Sequence, residues 1–182
     1  MANGKREWVI NTLPLVYDEN CKVLILGTMP GKQSRKYGFY YCDGGNRFWE
    51  VLEDVFGDRV PYRLCERRDY LLEHHIALWD LCACCTMVGS DDDTIDDIVP
   101  NAICCLLEHS NIKTVFFNGG GVEKQLKKYT RLKDMCDELK KKNPGIDFYE
   151  LPSTSSTNGW WEKEKFAKEY LDRWKRIKEL CK

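Results

Sequence analysis

The sequence predicts an α/β protein with a four-stranded, mainly parallel sheet. Four short apolar runs have the composition of buried strands, and a turn signal follows each of them. After each of the first three runs, a loop leads into a segment with helical spacing, and this alternation is typical of parallel sheets. The predicted strands are Lys22–Gly27, Ile76–Leu81, Thr114–Gly119 and Ile146–Pro152.

Helices are predicted between these strands and after the last one. The segment Asn46–Gly57 places apolar side chains on one face and ends at a glycine that can adopt the left-handed conformation. The acidic run Asp91–Asp93 is expected to lie in a loop and to cap the next helix, which begins near Pro100 or Asn101. Further helical segments are predicted within residues 121–145 and from about Glu162 to the end of the chain.

Composition narrows the class of protein. A chain of 182 residues that is 43% hydrophobic is typical of a soluble globular protein, and we expect residues 1–182 to form a single domain. The first residues lack the apolar stretch of a secretory signal, and no apolar run approaches the roughly 20 residues of a membrane span. We therefore expect a cytoplasmic protein that does not contact a membrane.

Most of the ten cysteines should be packed thiols in such a reducing compartment. Cys82 and Cys85 have C-x-x-C spacing, but the adjacent Cys104 and Cys105 do not repeat it, so no structural metal is expected. The net charge of −1 removes the simplest argument for a nucleic-acid partner, which is a global excess of positive charge. With this net charge, a nucleic acid could be attracted only by a local positive patch.

Polar loops follow all four predicted strands. Ligands of open parallel sheets bind beyond the carboxyl ends of the strands, so these loops are expected to meet at one ligand-binding rim. The loops contain the sequences GTMPGKQSRKYGFYYCDGG, DLCACCTMVGSDDD, NGGG and LPSTSSTNG.

The chain resembles the uracil-DNA glycosylase superfamily through motifs at these strand ends. The motifs are GTMPGKQS, YYCDGGNRFW, ALWD, FFNG and LPSTSSTNG, and their order resembles most the hypoxanthine-DNA (deoxyinosine) glycosylase branch, near the mismatch-specific uracil-DNA glycosylases. The resemblance extends from about Leu13 to Trp174 and implies a three-layer α/β/α sandwich. It also implies a monomeric enzyme that flips a deaminated or mismatched base from double-stranded DNA and hydrolyses its N-glycosidic bond without a metal or cofactor.

The resemblance assigns the attacking water to Asn46, at the start of the NRFW helix. An amide can orient a water, and an oxocarbenium-like transition state needs only a weak nucleophile. Asparagine is also a preferred helix N-cap, so Asn46 could serve that purpose instead. Thr28 and Met29 are expected to lie beside the base, although Met29 stands where the uracil and mismatch enzymes usually carry Asp or Asn. Leu151 similarly replaces the histidine that assists the leaving base in the uracil enzymes.

Two further residues are expected to contact the flipped base. Tyr41 aligns with the aromatic side chain that stacks on it, and packing of the loop against the core is the alternative. Asp80 stands where the uracil enzymes hold an asparagine that reads the base edge. A carboxylate accepts hydrogen bonds, so it favours a base that presents an N–H, such as hypoxanthine. Its structural alternatives are to cap the next turn or to pair with a buried arginine.

Short hydroxyls and loop amides match the DNA-backbone contacts of the family, which position the protein rather than read sequence. Asn158 could fill the gap left by the flipped base or cap a helix. The residues expected to contact DNA are Gly31, Ser34, Ser153, Thr154, Ser155, Ser156 and Asn158.

A second function fits part of the same sequence. Asn118–Gly121 could open a helix whose free amides bind a phosphate, although the Lys-Ser/Thr pair of a P-loop is missing. The alternative to a glycosylase is therefore a catalytically weak or inactive module of the same fold that binds a nucleic acid or nucleotide.

Overall fold

The computed structural model describes residues 5–119, 141, 144–162 and 164–182. The strands are β1 (Arg6–Ile10), β2 (Val23–Gly27), β3 (Ile76–Asp80), β4 (Cys82–Val88), β5 (Asp91–Pro100), β6 (Thr114–Asn118) and β7 (Asp147–Leu151). The helices are α1 (Lys32–Tyr37), α2 (Phe48–Phe56), α3 (Leu64–Glu73), α4 (Ile103–Glu108) and α5 (Glu164–Leu180), and a 3₁₀ turn covers Gly159–Glu162.

Within the described residues, four parallel strands form the central sheet in the order β3-β2-β6-β7. These strands are the four predicted ones, so the predicted α/β class is confirmed. Gly27 pairs with Asp80 at one end of the sheet, and Asn118 pairs with Leu151 at the same end. This end is the carboxyl edge, where the polar loops were expected.

The sheet is buried on both faces, as the three-layer sandwich requires. Successive residues of β2 point to opposite faces, so Val23 and Ile25 join one hydrophobic cluster while Leu24 and Leu26 join the other. The first cluster receives α2, α3 and α5, through side chains such as Phe48, Leu71 and Trp174. The second cluster receives α4 and the hairpin of β4 and β5, through Leu107, Met87 and Ile95.

The segment that follows β3 departs from the sequence prediction. It forms an antiparallel sheet in the order β1-β4-β5 rather than the predicted DLCACCTMVGSDDD loop. The prediction that Asp91–Asp93 caps the next helix is wrong, because these residues begin β5, and α4 begins at Ile103 with Ala102 as its N-cap. A strand at the edge of a sheet needs only one apolar face, which buried Ile95 supplies, and tolerates carboxylates on the other.

The predicted helices are confirmed where the structure describes them. The helix predicted at Asn46–Gly57 is α2, which ends at Gly57 with φ +81°, and the predicted C-terminal helix is α5. Helices α1 and α3 were not predicted, because their exposed faces are strongly charged and their apolar stripes are short. The helical prediction for 121–145 lies almost wholly outside the described residues. Among those described, no helix has the length and apolar character needed to cross a bilayer.

Candidate active site

The loops that follow β2 and β7 meet at the carboxyl edge of the central sheet. The Arg47 amide donates to the Thr154 carbonyl over 2.9 Å, which ties the start of α2 to the segment LPSTSSTNG. Two residues earlier, a Cβ on Gly45 would lie 2.8 Å from the Ser156 Cβ, so the two loops approach as closely as a glycine permits. The loops that were expected to form a rim are therefore in direct contact.

Asn46 lies in this contact, one residue before Arg47, which is the N-cap of α2. Its Oδ1 accepts a hydrogen bond from the Phe48 amide over 3.0 Å, and its own amide donates to the Asp43 carbonyl. The side chain is half-buried, and no hydrogen bond among the described residues uses its NH₂ group. The N-cap position that the sequence left open for Asn46 is held by Arg47, but the Asn46 side chain still satisfies the first amide of α2. This hydrogen bond leaves the NH₂ end of the side chain for another partner.

Tyr41 is held between this helix and the sheet. Its ring stacks on Phe48 with a centroid distance of 4.0 Å and an interplanar angle of 18°. Its backbone has φ +52°, a left-handed conformation that costs a non-glycine residue about 1–3 kcal/mol and that occurs preferentially at functional sites. Tyr41 therefore packs against the core through one face of its ring, as the alternative interpretation of the sequence proposed, because Phe48 covers that face.

The hydroxyl of Tyr41 is buried beside Asp80. It has no hydrogen-bond partner among the described residues. Burial raises the pKa of this phenol, and nearby Asp80 raises it further. The side-chain amide of Asn118 lies nearby and opposes this rise in the pKa. It does not form a hydrogen bond with the Tyr41 hydroxyl, which is therefore unsatisfied among the described residues.

Asp80 ends β3 and is only 3% exposed. Its Oδ2 accepts a hydrogen bond from Asn11 Nδ2 over 3.1 Å, so the partner is an amide and not the arginine considered from sequence. Burial raises the pKa of Asp80 to about 7, with the Asn11 hydrogen bond acting in the opposite direction and the Asp92 charge adding to the rise. Near neutral pH the carboxyl group is thus present in both forms, and the protonated form can donate a hydrogen bond.

Gly27 makes room for this pair of groups. A Cβ at this position would lie 2.4 Å from Asp80 Oδ1 and 3.1 Å from the Tyr41 hydroxyl. Any side chain here would displace the carboxylate or the phenol. The strand-end glycine therefore places Tyr41 and Asp80 against each other at the carboxyl edge.

The other residues of the first loop are more enclosed than expected. Met29 is 7% exposed and belongs to the hydrophobic cluster that contains Cys82 and Met87, and Thr28 is buried with its carbonyl accepting from the Cys82 amide. Contact of these side chains with a base stays a prediction. Gly31 lies at the start of α1 against Ser90, the tip of the β4–β5 hairpin.

Two hydroxyls predicted to contact DNA are engaged inside the protein. Thr154 is 0% exposed, and it accepts from Asn118 Nδ2 over 2.9 Å while its amide donates to Asn118 Oδ1 over 3.1 Å. Ser34 is buried, and its hydroxyl accepts from the Cys42 amide. This geometry favours a loop-positioning role for both residues, and their direct contact with DNA stays a prediction.

The remaining loop residues lie nearer the surface. Ser156 is exposed, and Ser153 and Ser155 are half-buried. Asn158 Nδ2 donates to the Ser153 carbonyl over 2.8 Å, so this side chain folds back onto its own loop. The indole N–H of Trp161 also donates to the Ser153 carbonyl, and the indole of Trp174 in α5 donates to the Pro152 carbonyl. The loop that offers serines to a ligand is thus anchored to the core.

Sequence reasoning missed two asparagines that support Asp80. Asn11 follows β1, and Asn101 follows β5 and donates through Nδ2 to the Asp80 carbonyl over 2.8 Å. Both amides also donate to the Cys82 carbonyl. Neither residue lies in a recognisable motif, and only the unpredicted antiparallel sheet brings them to this edge.

Comparisons with known proteins agree with this fold. The profile of the uracil DNA glycosylase superfamily matches residues 14–178. Hypoxanthine DNA glycosylases from Methanosarcina barkeri and Methanosarcina acetivorans are 36% and 33% identical over 108 residues, which are 58% of this chain and 68% of each relative. The NMR structure of a candidate uracil DNA glycosylase from Methanosarcina acetivorans superposes with a TM-score of 0.71 at 25% identity, covering 92% of this chain and 97% of that one.

The α/β fold places the aromatic ring of Tyr41 and the buried carboxyl group of Asp80 together at the carboxyl edge of its central sheet. The chain belongs to the uracil DNA glycosylase superfamily, a class of DNA N-glycosylases.

Proposed function

We propose that this chain is a monofunctional DNA glycosylase of base-excision repair that acts as a monomer on double-stranded DNA. It extrudes a deaminated base, with hypoxanthine preferred over uracil and xanthine, and hydrolyses the N-glycosidic bond. The observation that carries the proposal is the meeting of Asn46, Tyr41 and Asp80 at one edge of the sheet, beside the serine loop. The names of the Methanosarcina relatives support hypoxanthine as the base.

A flipped base loses its stacking neighbours, and Tyr41 would replace one of them. Stacking on an aromatic side chain contributes about 1–3 kcal/mol per base. The ring is held rigidly by Phe48, so little conformational entropy is lost when a base arrives. The unsatisfied hydroxyl of Tyr41 and the carboxyl group of Asp80 would then face the polar edge of the base.

Asn46 would hold the attacking water. Its NH₂ group can donate to the water oxygen while its Oδ1 remains bonded to the Phe48 amide, which fixes the orientation of the side chain. As the bond to the base breaks, positive charge develops on the sugar, and a positioned water then adds at C1′. Met29 is buried and its thioether has no hydrogen to donate to a water, so it cannot perform this task, and we assign it to Asn46.

The serine loop would position the DNA backbone. Ser156 is exposed next to Gly45, which places a hydroxyl and loop amides within two residues of Asn46. Contacts of this kind fix the register of the protein on DNA without reading sequence. They also fit a protein whose net charge of −1 provides no general attraction to DNA.

A base-release assay tests the function. Duplexes that each carry one hypoxanthine, uracil or xanthine are incubated with excess protein, and abasic sites are revealed by alkaline cleavage. We expect fastest release from the deoxyinosine duplex and no strand cleavage before alkali. Absence of abasic product from all three duplexes would refute the proposal.

Variants at Asn46 separate its catalytic role from its hydrogen bond to the Phe48 amide. A serine hydroxyl can accept the same type of local hydrogen bond, so Asn46→Ser should keep most of the thermal stability of the wild type while losing the water-binding amide. We expect both Asn46→Ser and Asn46→Ala to lower the single-turnover rate by roughly 100-fold. Asn111→Ala, which removes an exposed asparagine bonded to the Glu19 carbonyl, is the matched control and should retain the rate. An Asn46→Ser variant with full activity would refute the role in catalysis.

A second candidate function is a binding module that has lost catalysis. It is favoured by one observation, which is that Met29 and Leu151 stand in place of the family's acidic or amide residue and its histidine, and that both are buried in the core. This candidate predicts measurable affinity for a duplex containing deoxyinosine together with no abasic product. Fluorescence anisotropy on the same duplexes distinguishes it from the glycosylase.

A further inference from the structure

Two asparagines hold the segment that follows β3 from opposite sides. Asn11 directly follows β1, and its backbone amide donates to the Ala83 carbonyl while its Oδ1 accepts from the Leu13 amide. Asn101 directly follows β5, and its backbone amide donates to the Leu81 carbonyl. The side-chain NH₂ groups of both then donate to the Cys82 carbonyl, over 3.2 Å from Asn11 and 3.1 Å from Asn101.

Only one of these asparagines reaches a titratable group. Asn11 Nδ2 donates to Asp80 Oδ2 over 3.1 Å, whereas Asn101 Nδ2 donates to the backbone carbonyl of the same residue over 2.8 Å. The second carboxyl oxygen of Asp80, Oδ1, lies against Gly27, on the same side as the Tyr41 hydroxyl. The carboxyl group is thus fixed at one oxygen, and its other oxygen lies on the side where the base is proposed to bind.

Within the part of the chain that the structure describes, no other acid of the candidate site has been assigned to the leaving base. A purine departs as an anion unless a neighbouring group supplies a proton or a hydrogen bond. Leu151 is buried and apolar, so it cannot provide this assistance. Asp80 is the buried acid at this edge, and no part of the water-activation scheme uses it.

We propose that Asp80 is the acid that protonates the departing purine and that Asn11 is the residue that positions its carboxyl group. This inference rests on the proposed function. As the C1′–N9 bond breaks, its electron pair stays on the base, and the Asp80 proton moves to an acceptor atom of the purine. Water forms the new bond to C1′ and loses one proton to solvent, and Asp80 regains a proton from solvent before the next turnover. One water is consumed for each bond, and no oxidant or cofactor is needed.

The surroundings of Asp80 favour its protonated form. Among the described residues, the titratable groups that interact with it are Asp92 of β5, Tyr40 and Tyr41 of the loop before α2, and Cys82 of β4. Burial raises the pKa of both tyrosines, and the hydrogen bond with Cys85 and burial raise that of the Cys82 thiol. These three groups are therefore neutral, and Asp92 disfavours a second negative charge. The pKa of about 7 keeps a large fraction of Asp80 protonated near neutral pH.

The test measures single-turnover release of hypoxanthine from a deoxyinosine duplex between pH 5.5 and 8.5. The wild-type rate should fall by about tenfold for each pH unit above a midpoint near 7, because only the protonated form acts. Asp80→Asn should lower the rate at pH 6 by roughly 100-fold to 10,000-fold and abolish this fall. Asn11→Ala should move the midpoint to higher pH, because the lost hydrogen bond stabilised the ionised form.

Asn101→Ala is the matched control for Asn11→Ala. It removes a donor to the same segment without touching the carboxyl group, so it should leave the midpoint unchanged even if it lowers stability. A wild-type rate that is constant or rises from pH 6 to 8.5 would overturn the role of Asp80. An equal shift in both asparagine variants, or no shift in either, would overturn the positioning role of Asn11.

A titration without DNA separates this inference from the proposed function. Carboxyl ¹³C NMR of the free protein should show Asp80 titrating near pH 7 in the wild type and higher in Asn11→Ala. If Asp80 instead titrates below pH 5, the inference fails while base release remains possible. If no duplex releases a base, the proposed function and the acid role of Asp80 fail together. The NMR titration still decides whether the hydrogen bond from Asn11 lowers the pKa of Asp80.

Discussion

Replacing Asp80 with asparagine should make the stability of the fold less dependent on pH. Asparagine has the same shape and can accept the hydrogen bond from Asn11 Nδ2, but it does not ionise. The wild-type carboxyl group has an ordinary pKa of 3.8, and burial in the native state raises that pKa to about 7. Between these two values the native state binds a proton that the unfolded chain releases, so the free energy of unfolding falls as the pH rises.

The size of the effect follows from the shift in pKa. Each unit of difference corresponds to about 1.4 kcal/mol, so the contribution of protonated Asp80 is fully present below pH 4 and about 4 kcal/mol is lost above pH 7. By pH 5 about 1.5 kcal/mol of this has already been lost. The wild type should therefore lose about 3 kcal/mol more than Asp80→Asn between pH 5 and pH 8.

Urea unfolding followed by circular dichroism at pH 5 and pH 8 measures this difference. Asp147→Asn removes an exposed carboxylate at the start of β7 and serves as the control for a general change of charge. We expect the control to follow the wild type at both pH values. If Asp80→Asn and the wild type lose the same free energy between pH 5 and pH 8, Asp80 is ionised throughout that range and the reasoning from its burial is refuted.

Three further substitutions test the packing of the candidate site. Gly27→Ala should destabilise the protein by about 1–3 kcal/mol and reduce base release, because the new Cβ displaces Asp80, and unchanged thermal unfolding would contradict the close approach. Tyr41→Phe removes a buried hydroxyl without a partner among the described residues, so its melting temperature should equal or exceed that of the wild type, and a clear drop would reveal a missing partner. Asn118→Leu breaks both hydrogen bonds to buried Thr154 and should cost roughly 2–4 kcal/mol in urea unfolding, with faster hydrogen exchange at the Thr154 amide. Exchange that stays as slow as in the wild type would show that Asn118 does not hold the loop.

The central sheet could be predicted because its strands are buried on both faces. A strand such as Val23–Gly27 has no exposed face, so its sequence is a continuous apolar run. Such a run can be recognised as a strand without knowing which strands lie beside it. The strands of the antiparallel sheet have one exposed face, and β5 carries carboxylates on it, so local composition indicated a loop. Their pairing depends on contacts between distant segments, which periodicity does not reveal.

The candidate site was predictable to a similar extent. Asn46, Tyr41 and Asp80 were selected because their motifs resemble those of the family, and sequence patterns placed these motifs at strand ends and a helix start; their roles stay predictions. The burial of individual polar side chains was not predictable, because nothing in the local sequence shows that Thr154 is enclosed and bonded to Asn118. The support of Asp80 by Asn11 depends on the unpredicted sheet, and no local signal marked it.

A structure of the protein bound to a duplex that carries a non-hydrolysable 2′-fluoro-deoxyinosine tests the account most directly. We predict that the hypoxanthine is extruded, stacks on the face of the Tyr41 ring opposite Phe48 and contacts the carboxyl group of Asp80. A water should lie between the Asn46 amide and C1′ of the sugar. A base that remains in the duplex, or that binds away from these three residues while the fold is intact, would contradict the account.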